Sequence, residues 1–259
     1  MRVSADEVKP LLDRFTADAG RAVPLDALWV HGSLALGDFQ AGRSDIDVVA
    51  VTATTLSGSR RQDLRRVHEA LQAGLPLAGK LHCAYMARGE LDDAGRGHVT
   101  WAHGELFERA VSPVTRRELA IGGLPLAGPP PGALVPAVSD RELADYVRSD
   151  LRDYWYEKTA RADLWLRDIW VDLGLLTLAR AAVTLDEGRL ITKKEALSVL
   201  AGRGAPADVV RDIYRRRYET PEPITEEWRA RRASLARAYV RAGIEEVLVG
   251  SPGSCTGHL

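Results

Sequence analysis

The chain has 259 residues, 46% of them hydrophobic and 27% charged, and its 35 Lys and Arg against 36 Asp and Glu leave a formal charge of -1. That length favours two domains over one, and the apolar share suffices for real cores, which excludes a wholly disordered chain, a collagen-like rod and a disulfide-stapled peptide. The balanced charge excludes a global basic field that would draw nucleic acid.

Met1 to Pro10 mixes charges and lacks an apolar signal core. No run approaches the roughly 20 apolar residues that span a bilayer, so the expectation is a cytoplasmic chain without membrane or nucleic-acid partners. The two cysteines, Cys83 in an apolar run and Cys255 in the tail, support neither a disulfide framework nor a thiolate zinc site. In chain order, Ser4 and Glu7 form a capping box that opens a first helix carrying Val8, Leu11, Leu12 and Phe15 at helical spacing. Residues 27–30 read as a short buried strand that breaks into His31-Gly32-Ser33, and residues 45–52 as a second strand rich in β-branched residues. Residues 59–74 form an amphipathic helix with Leu64, Val67, His68 and Leu71 on one face, and residues 80–86 a third strand. This alternation predicts an α/β domain over residues 1–121. Residues 122–138 hold Pro125, Pro129, Pro130, Pro131 and Pro136 among glycines and read as a linker. Beyond it every signal is helical, which predicts an all-α helical bundle over residues 139–249. Ser139 and Glu142 form a capping box, an apolar helix runs over residues 168–185 to a stop near Gly188, and Thr192 to Glu195 cap the next. Pro206 opens another helix and Thr225 a last one; the Gly/Ser/Pro-rich residues 250–259 read as a disordered tail.

The chemistry concentrates in Trp29-Val30-His31-Gly32-Ser33, Gly37 and Ser44-Asp45-Ile46-Asp47. A period of two puts Asp45 and Asp47 on one face of their strand. Two like charges there repel unless a cation lies between them, and hard oxygen donors suit Mg²⁺. Gly32 and Gly37 let backbone approach a ligand, and Ser33 sits where a loop meets a helix, a place suited to phosphate.

This stretch resembles the nucleotidyltransferase superfamily of polymerase-β type, with its Gly-Ser, following Gly and Asp-x-Asp on the next strand. Leu176-Thr177-Leu178-Ala179-Arg180, Gly188 and Thr192-Lys193-Lys194-Glu195-Ala196 resemble the C-terminal helical domain of aminoglycoside 3″ adenylyltransferases. The resemblance implies Mg²⁺ on Asp45 and Asp47, and ATP held through Gly32, Ser33, Ser44, Arg180, Lys194 and Tyr218. It also implies an AMP group transferred to a hydroxyl of an aminoglycoside-like small molecule, antibiotic resistance as the setting, and a helical domain that closes on the nucleotide. Taken singly, Arg180 reads equally as an ion-pair residue, Lys193 and Lys194 as a solvated first turn, Arg215 to Arg217 as a solvated face, and Tyr218 as packing.

The family's third carboxylate belongs on the strand that here reads Lys80-Leu81-His82-Cys83-Ala84-Tyr85, which holds no Asp or Glu. His82 is the positional replacement, and it serves either as the base that takes the acceptor's proton or as a packing residue. Residues 139–172 carry nine Asp and Glu against six Lys and Arg, a balance of -3 that suits a cationic acceptor. Two rival readings stay open: a nucleotide-binding protein without transfer, and a transferase that modifies a protein, which the long helical half disfavours. A monomer is expected.

Overall fold

The computed structural model describes residues 5–93 and 95–249. The residues divide into two compact units at Ser139 and Asp140.

The first unit is a six-stranded mixed sheet with helices. The elements run α1 (Ala5–Ala22), β1 (Leu25–His31), α2 (Gly32–Ala35), β2 (Ile46–Thr52), α3 (Gly58–Gly74), β3 (Leu81–Ala87), β4 (Gly97–Ala102), β5 (Glu105–Ala110), α4 (Pro113–Gly122) and β6 (Leu124–Ala127). The spatial order is β5-β4-β3-β2-β1-β6. β2 and β3 are parallel, joined by the crossover through α3, and the other pairs are antiparallel. β1, β2 and β3 are buried on both faces, which is why they read as short continuous apolar runs. On one face Leu28, Val30, Val48 and Cys83 pack with Val8 and Phe15 of α1 and Leu64 and Leu71 of α3. On the other, Trp29, Val49, Val51, Ala84 and Met86 pack with Leu119 of α4.

Residues 122–138 are not a free linker. Leu124 to Ala127 form an edge strand on β1, where Pro125 is tolerated because an edge leaves backbone groups unpaired. The indole of Trp29 donates to the carbonyl of Pro129 at 2.7 Å, tying the proline run to the sheet. The segment therefore belongs to the first unit. β4 and β5, absent from the sequence reading, form a hairpin turned by His103 and Gly104, both at positive φ (54° and 84°), as a two-residue primed turn requires. Ser4 of the first capping box, Cys255 and the 250–259 tail lie outside the described residues.

His68 of α3 supplies a pH-dependent part of this core. Its ring stacks on Trp101 at 4.6 Å between centroids, and Nε2 lies 2.7 Å from the Tyr85 hydroxyl. Burial lowers its pKa from 6.5 to about 3. Because the unfolded chain then binds the proton more readily, stability is complete above about pH 6.5 and falls as the pH drops toward 3. Chemical denaturation should show a loss of about 2 kcal/mol between about pH 7 and pH 5, and His68→Gln, which cannot titrate, should flatten that slope.

The second unit is all helical: α5 (Asp140–Ser149), a π-helical turn at Asp150–Trp155, α6 (Tyr156–Thr159), α7 (Asp168–Glu187), α8 (Lys193–Gly202), α9 (Ala207–Tyr218) and α10 (Glu226–Val249). α7 ends where Gly188 turns left-handed at φ 69° and its N–H reaches the Thr184 carbonyl at 3.0 Å. The Thr192–Glu195 capping box is complete. Glu195 N–H donates to the Thr192 hydroxyl at 3.1 Å, and Thr192 N–H donates to the Glu195 carboxylate at 2.7 Å. Gly243 on α10 lets Leu178 of α7 approach closely and Gly174 on α7 makes room for the Trp165 ring, since a Cβ would come within 2.5 Å of each. Among the described residues no helix is long and apolar enough to cross a membrane.

Candidate functional site

The site lies at one end of the first unit's sheet, on the face covered by α4. Residues of one face alternate along a strand, so His31 follows Trp29, Asp47 precedes Val49 and His82 precedes Ala84 on that same face. Register aligns them: His31 on β1 pairs with Asp47 on β2, and Asp47 with His82 on β3. The result is a row of imidazole, carboxylate and imidazole across three neighbouring strands. His82 Nδ1 lies 3.8 Å from an Asp47 oxygen. His31 Nδ1 lies 3.1 Å from a carboxylate oxygen of Glu118 on α4. Asp45, just before β2, has Lys80 Nζ 3.5 Å away.

Gly32 is the floor under Asp47. Its φ of 65° is left-handed, and a Cβ there would come within 2.7 Å of the Asp47 carboxylate. The turn at residues 40–44 delivers Asp45. Ser44 is buried within it, its N–H donating to the Gln40 carbonyl at 2.7 Å and its hydroxyl accepting the Gln40 N–H at 3.0 Å. Ser44 thus closes the turn that holds Asp45 in position, and its hydroxyl keeps a proton to donate. Ser33 is the second residue of α2, directly after Gly32.

Burial raises the Asp47 carboxyl above the usual carboxylate range, and Asp45 and Glu118 add to the effect, while His31 and His82 oppose it. Burial lowers the His82 imidazole below its ordinary value, aided by His103 and Arg109 and opposed by Asp45 and Asp47. His82 is therefore neutral near pH 7 with a lone pair to offer. The edge of its ring meets His103 at 4.7 Å between centroids. A carboxylate raised by burial and by two neighbouring carboxylates is a place where a cation lowers the energy. Among the described residues no three His, Cys, Asp or Glu side chains form a ready metal cage. Two hard carboxylates still fit Mg²⁺, which completes its shell with water and substrate phosphates.

In the second unit, Arg180 on α7 donates its Nε–H to the Ile191 carbonyl at 3.0 Å. That contact fixes its guanidinium beside the start of α8, where Lys193 and Lys194 are the first two helical residues. The structure thus brings Arg180 to the Lys193–Lys194 turn. Tyr218 ends α9, its ring 5.1 Å from that of Tyr214. In the run Arg215 to Arg217, Arg215 is exposed but the other two are half-buried. Arg216 pairs with Asp172 and Asp212, fully buried Arg232 pairs with Asp168 and Asp212, and Arg217 lies over the Tyr218 ring at 5.7 Å. A cavity of about 500 Å³ opens above this network, lined by Arg215, Trp228 and Arg232 among others, and it contains none of the expected site residues. Arg216 and Arg232 are engaged in ion pairs with Asp168, Asp172 and Asp212, although the Nε atom of each has no hydrogen-bond partner, and the carboxylate row of the first unit, which joins the Asp-x-Asp to the Gly32 turn, is the stronger candidate for chemistry.

Sequence reasoning named His31 only within the Trp29–Ser33 stretch and gave it no role, and it missed Glu118 and His103. His31 had a signal, since it adjoins Gly32-Ser33 and shares the parity of Trp29. Glu118 had none, because its partner lies 87 residues away.

No protein-family model and no curated protein sequence matches the chain. Among solved structures it superposes on spectinomycin adenyltransferase AAD(9) from Enterococcus faecialis, determined with ATP and spectinomycin. The TM-score is 0.71 at 14% identity, covering 92% of this chain and 99% of that one. The likeness shows a shared fold: a mixed-sheet α/β unit followed by a helical one.

Proposed function

We propose that the chain is an adenylyltransferase that moves AMP from ATP to a hydroxyl of a small, cationic, aminoglycoside-like acceptor. The observation that carries this reading is the row His31–Asp47–His82 beside Asp45, seated on the Gly32 turn. The fold shared with a protein solved with ATP and spectinomycin supports it.

In this reading Asp45 and Asp47 hold Mg²⁺, which when bound neutralises charge on the α-phosphate and on the leaving pyrophosphate. Gly32 and Ser33 offer backbone N–H groups to the phosphates. His82 accepts the proton of the acceptor hydroxyl as its oxygen forms a bond to the α-phosphorus. The bond from that phosphorus to the bridging oxygen breaks, and pyrophosphate leaves with the electron pair. Arg180, Lys194 and Tyr218 of the helical unit bind phosphate oxygens. The acidic surplus of residues 139–172 suits an acceptor bearing ammonium groups, although Arg216 on Asp172 and Arg232 on Asp168, both from outside the segment, neutralise part of it.

The test is a panel of aminoglycosides with Mg²⁺ and ATP, followed by pyrophosphate release. Release that depends on one acceptor supports the reading; equal release without acceptor opposes it. Lys194→Ala should weaken binding of a non-hydrolysable ATP analogue by about 1.5–3 kcal/mol through loss of a charge-assisted contact, with acceptor binding nearly unchanged. Calorimetric titration measures both. An unchanged analogue affinity would remove Lys194 from the nucleotide site.

A further inference from the structure

We propose that Glu118 and His31 form an outer shell that positions Asp47, Glu118 holding the His31 ring by its Nδ1–H and His31 flanking the Asp47 carboxylate. The proposal rests on the reading of Asp47 as a cation-holding carboxylate and names residues that nothing in that reading requires.

Three observations carry it. His31 and Asp47 are cross-strand partners on one sheet face, where such side chains are close neighbours. The 3.1 Å contact between His31 and Glu118 is shielded, each side chain being only 11% exposed. α4 is rigidly placed, since Ser112 caps it by accepting the Thr115 N–H at 3.2 Å, Pro113 opens it, and the next residue after Glu118, Leu119, is buried in the core. A carboxylate is costly to bury without a donor, and in this helix it is turned toward the sheet rather than outward. The acceptor it offers fixes the ring of His31, as outer-shell partners fix the side chains they contact. β3 carries no carboxylate, so Glu118 is the further negative charge that acts on Asp47, together with Asp45. It acts through His31 and is a positioning residue.

The experiment measures Mn²⁺ affinity of the full chain by electron paramagnetic resonance, with a saturating non-hydrolysable ATP analogue. Glu118→Ala and His31→Ala should each weaken Mn²⁺ binding by roughly 10–100-fold. The double variant should be no weaker than either single one, because one shell is removed in all three. Glu118→Gln keeps an acceptor for the Nδ1–H and should restore most of the affinity. If Glu118→Ala does not fold, His31→Ala against His31→Asn asks the same question, since Asn keeps a donor to Glu118. Unchanged affinity in folded Glu118→Ala, or losses that add fully in the double variant, would overturn the proposal. Asp47→Asn separates the two readings. If it abolishes Mn²⁺ binding while Glu118→Ala does not affect it, only the outer shell fails. If Asp47→Asn leaves binding intact, the metal assignment itself fails.

Discussion

Asp47→Asn is expected to lower nucleotidyl transfer by on the order of 10²–10³-fold or more while leaving the fold intact. The substitution keeps the volume above Gly32 but removes the charge that pairs with Asp45 to hold a cation. The direction of the Asp47 shift makes a second readout available. Burial and neighbouring carboxylates raise its pKa, so ionising Asp47 costs more in the folded state than in the unfolded chain. A carboxyl of raised pKa costs stability above its unfolded value, near 3.8, and that cost persists at pH 7. Asp47→Asn removes it, so the melting temperature should stay at or above that of the unsubstituted chain while turnover collapses. Such a pairing marks a residue retained for function rather than stability. Asp45→Asn should also abolish transfer. Near-normal turnover in either variant would contradict the assignment.

His82→Ala should reduce turnover by roughly 10²–10⁴-fold with ATP affinity nearly unchanged. His82 is buried, 3.8 Å from Asp47 and neutral near pH 7, so it lies beside the proposed metal site in the unprotonated state a base needs. Turnover and nucleotide affinity are measured separately, by steady-state kinetics and by calorimetry. His82→Glu puts a carboxylate opposite Asp47 and should recover part of the activity. A His82→Ala protein with unreduced turnover would make His82 a packing residue against His103.

Much of this was legible before any coordinates. β1, β2 and β3 are buried on both faces and appear as apolar runs, and the shared parity of Asp45 with Asp47, and of His82 with Lys80 and Ala84, follows from the strand period alone. The complete capping box at Thr192 and the left-handed stop at Gly188 were equally readable, because both are local. What was hidden was non-local. No periodicity sets the register of β2 against β3, so the pairing of Asp47 with His82 had to be seen. β5 exposes most of its residues and gives only a weak alternation, and β6 is hidden by Pro125, which only an edge position accommodates. Arg216 read as part of a surface run because its carboxylate partners, Asp172 and Asp212, lie on another helix and one turn away.

The most direct test follows the isotope. The protein is incubated with Mg²⁺, an aminoglycoside panel, and ATP labelled at either the α- or the γ-phosphate, and the acceptor is then separated. The account predicts that only the α-label appears on one acceptor, that the γ-label leaves as pyrophosphate, and that Asp47→Asn blocks both. Transfer of the γ-label to the acceptor, or bound ATP with no label transferred to any acceptor, would contradict it.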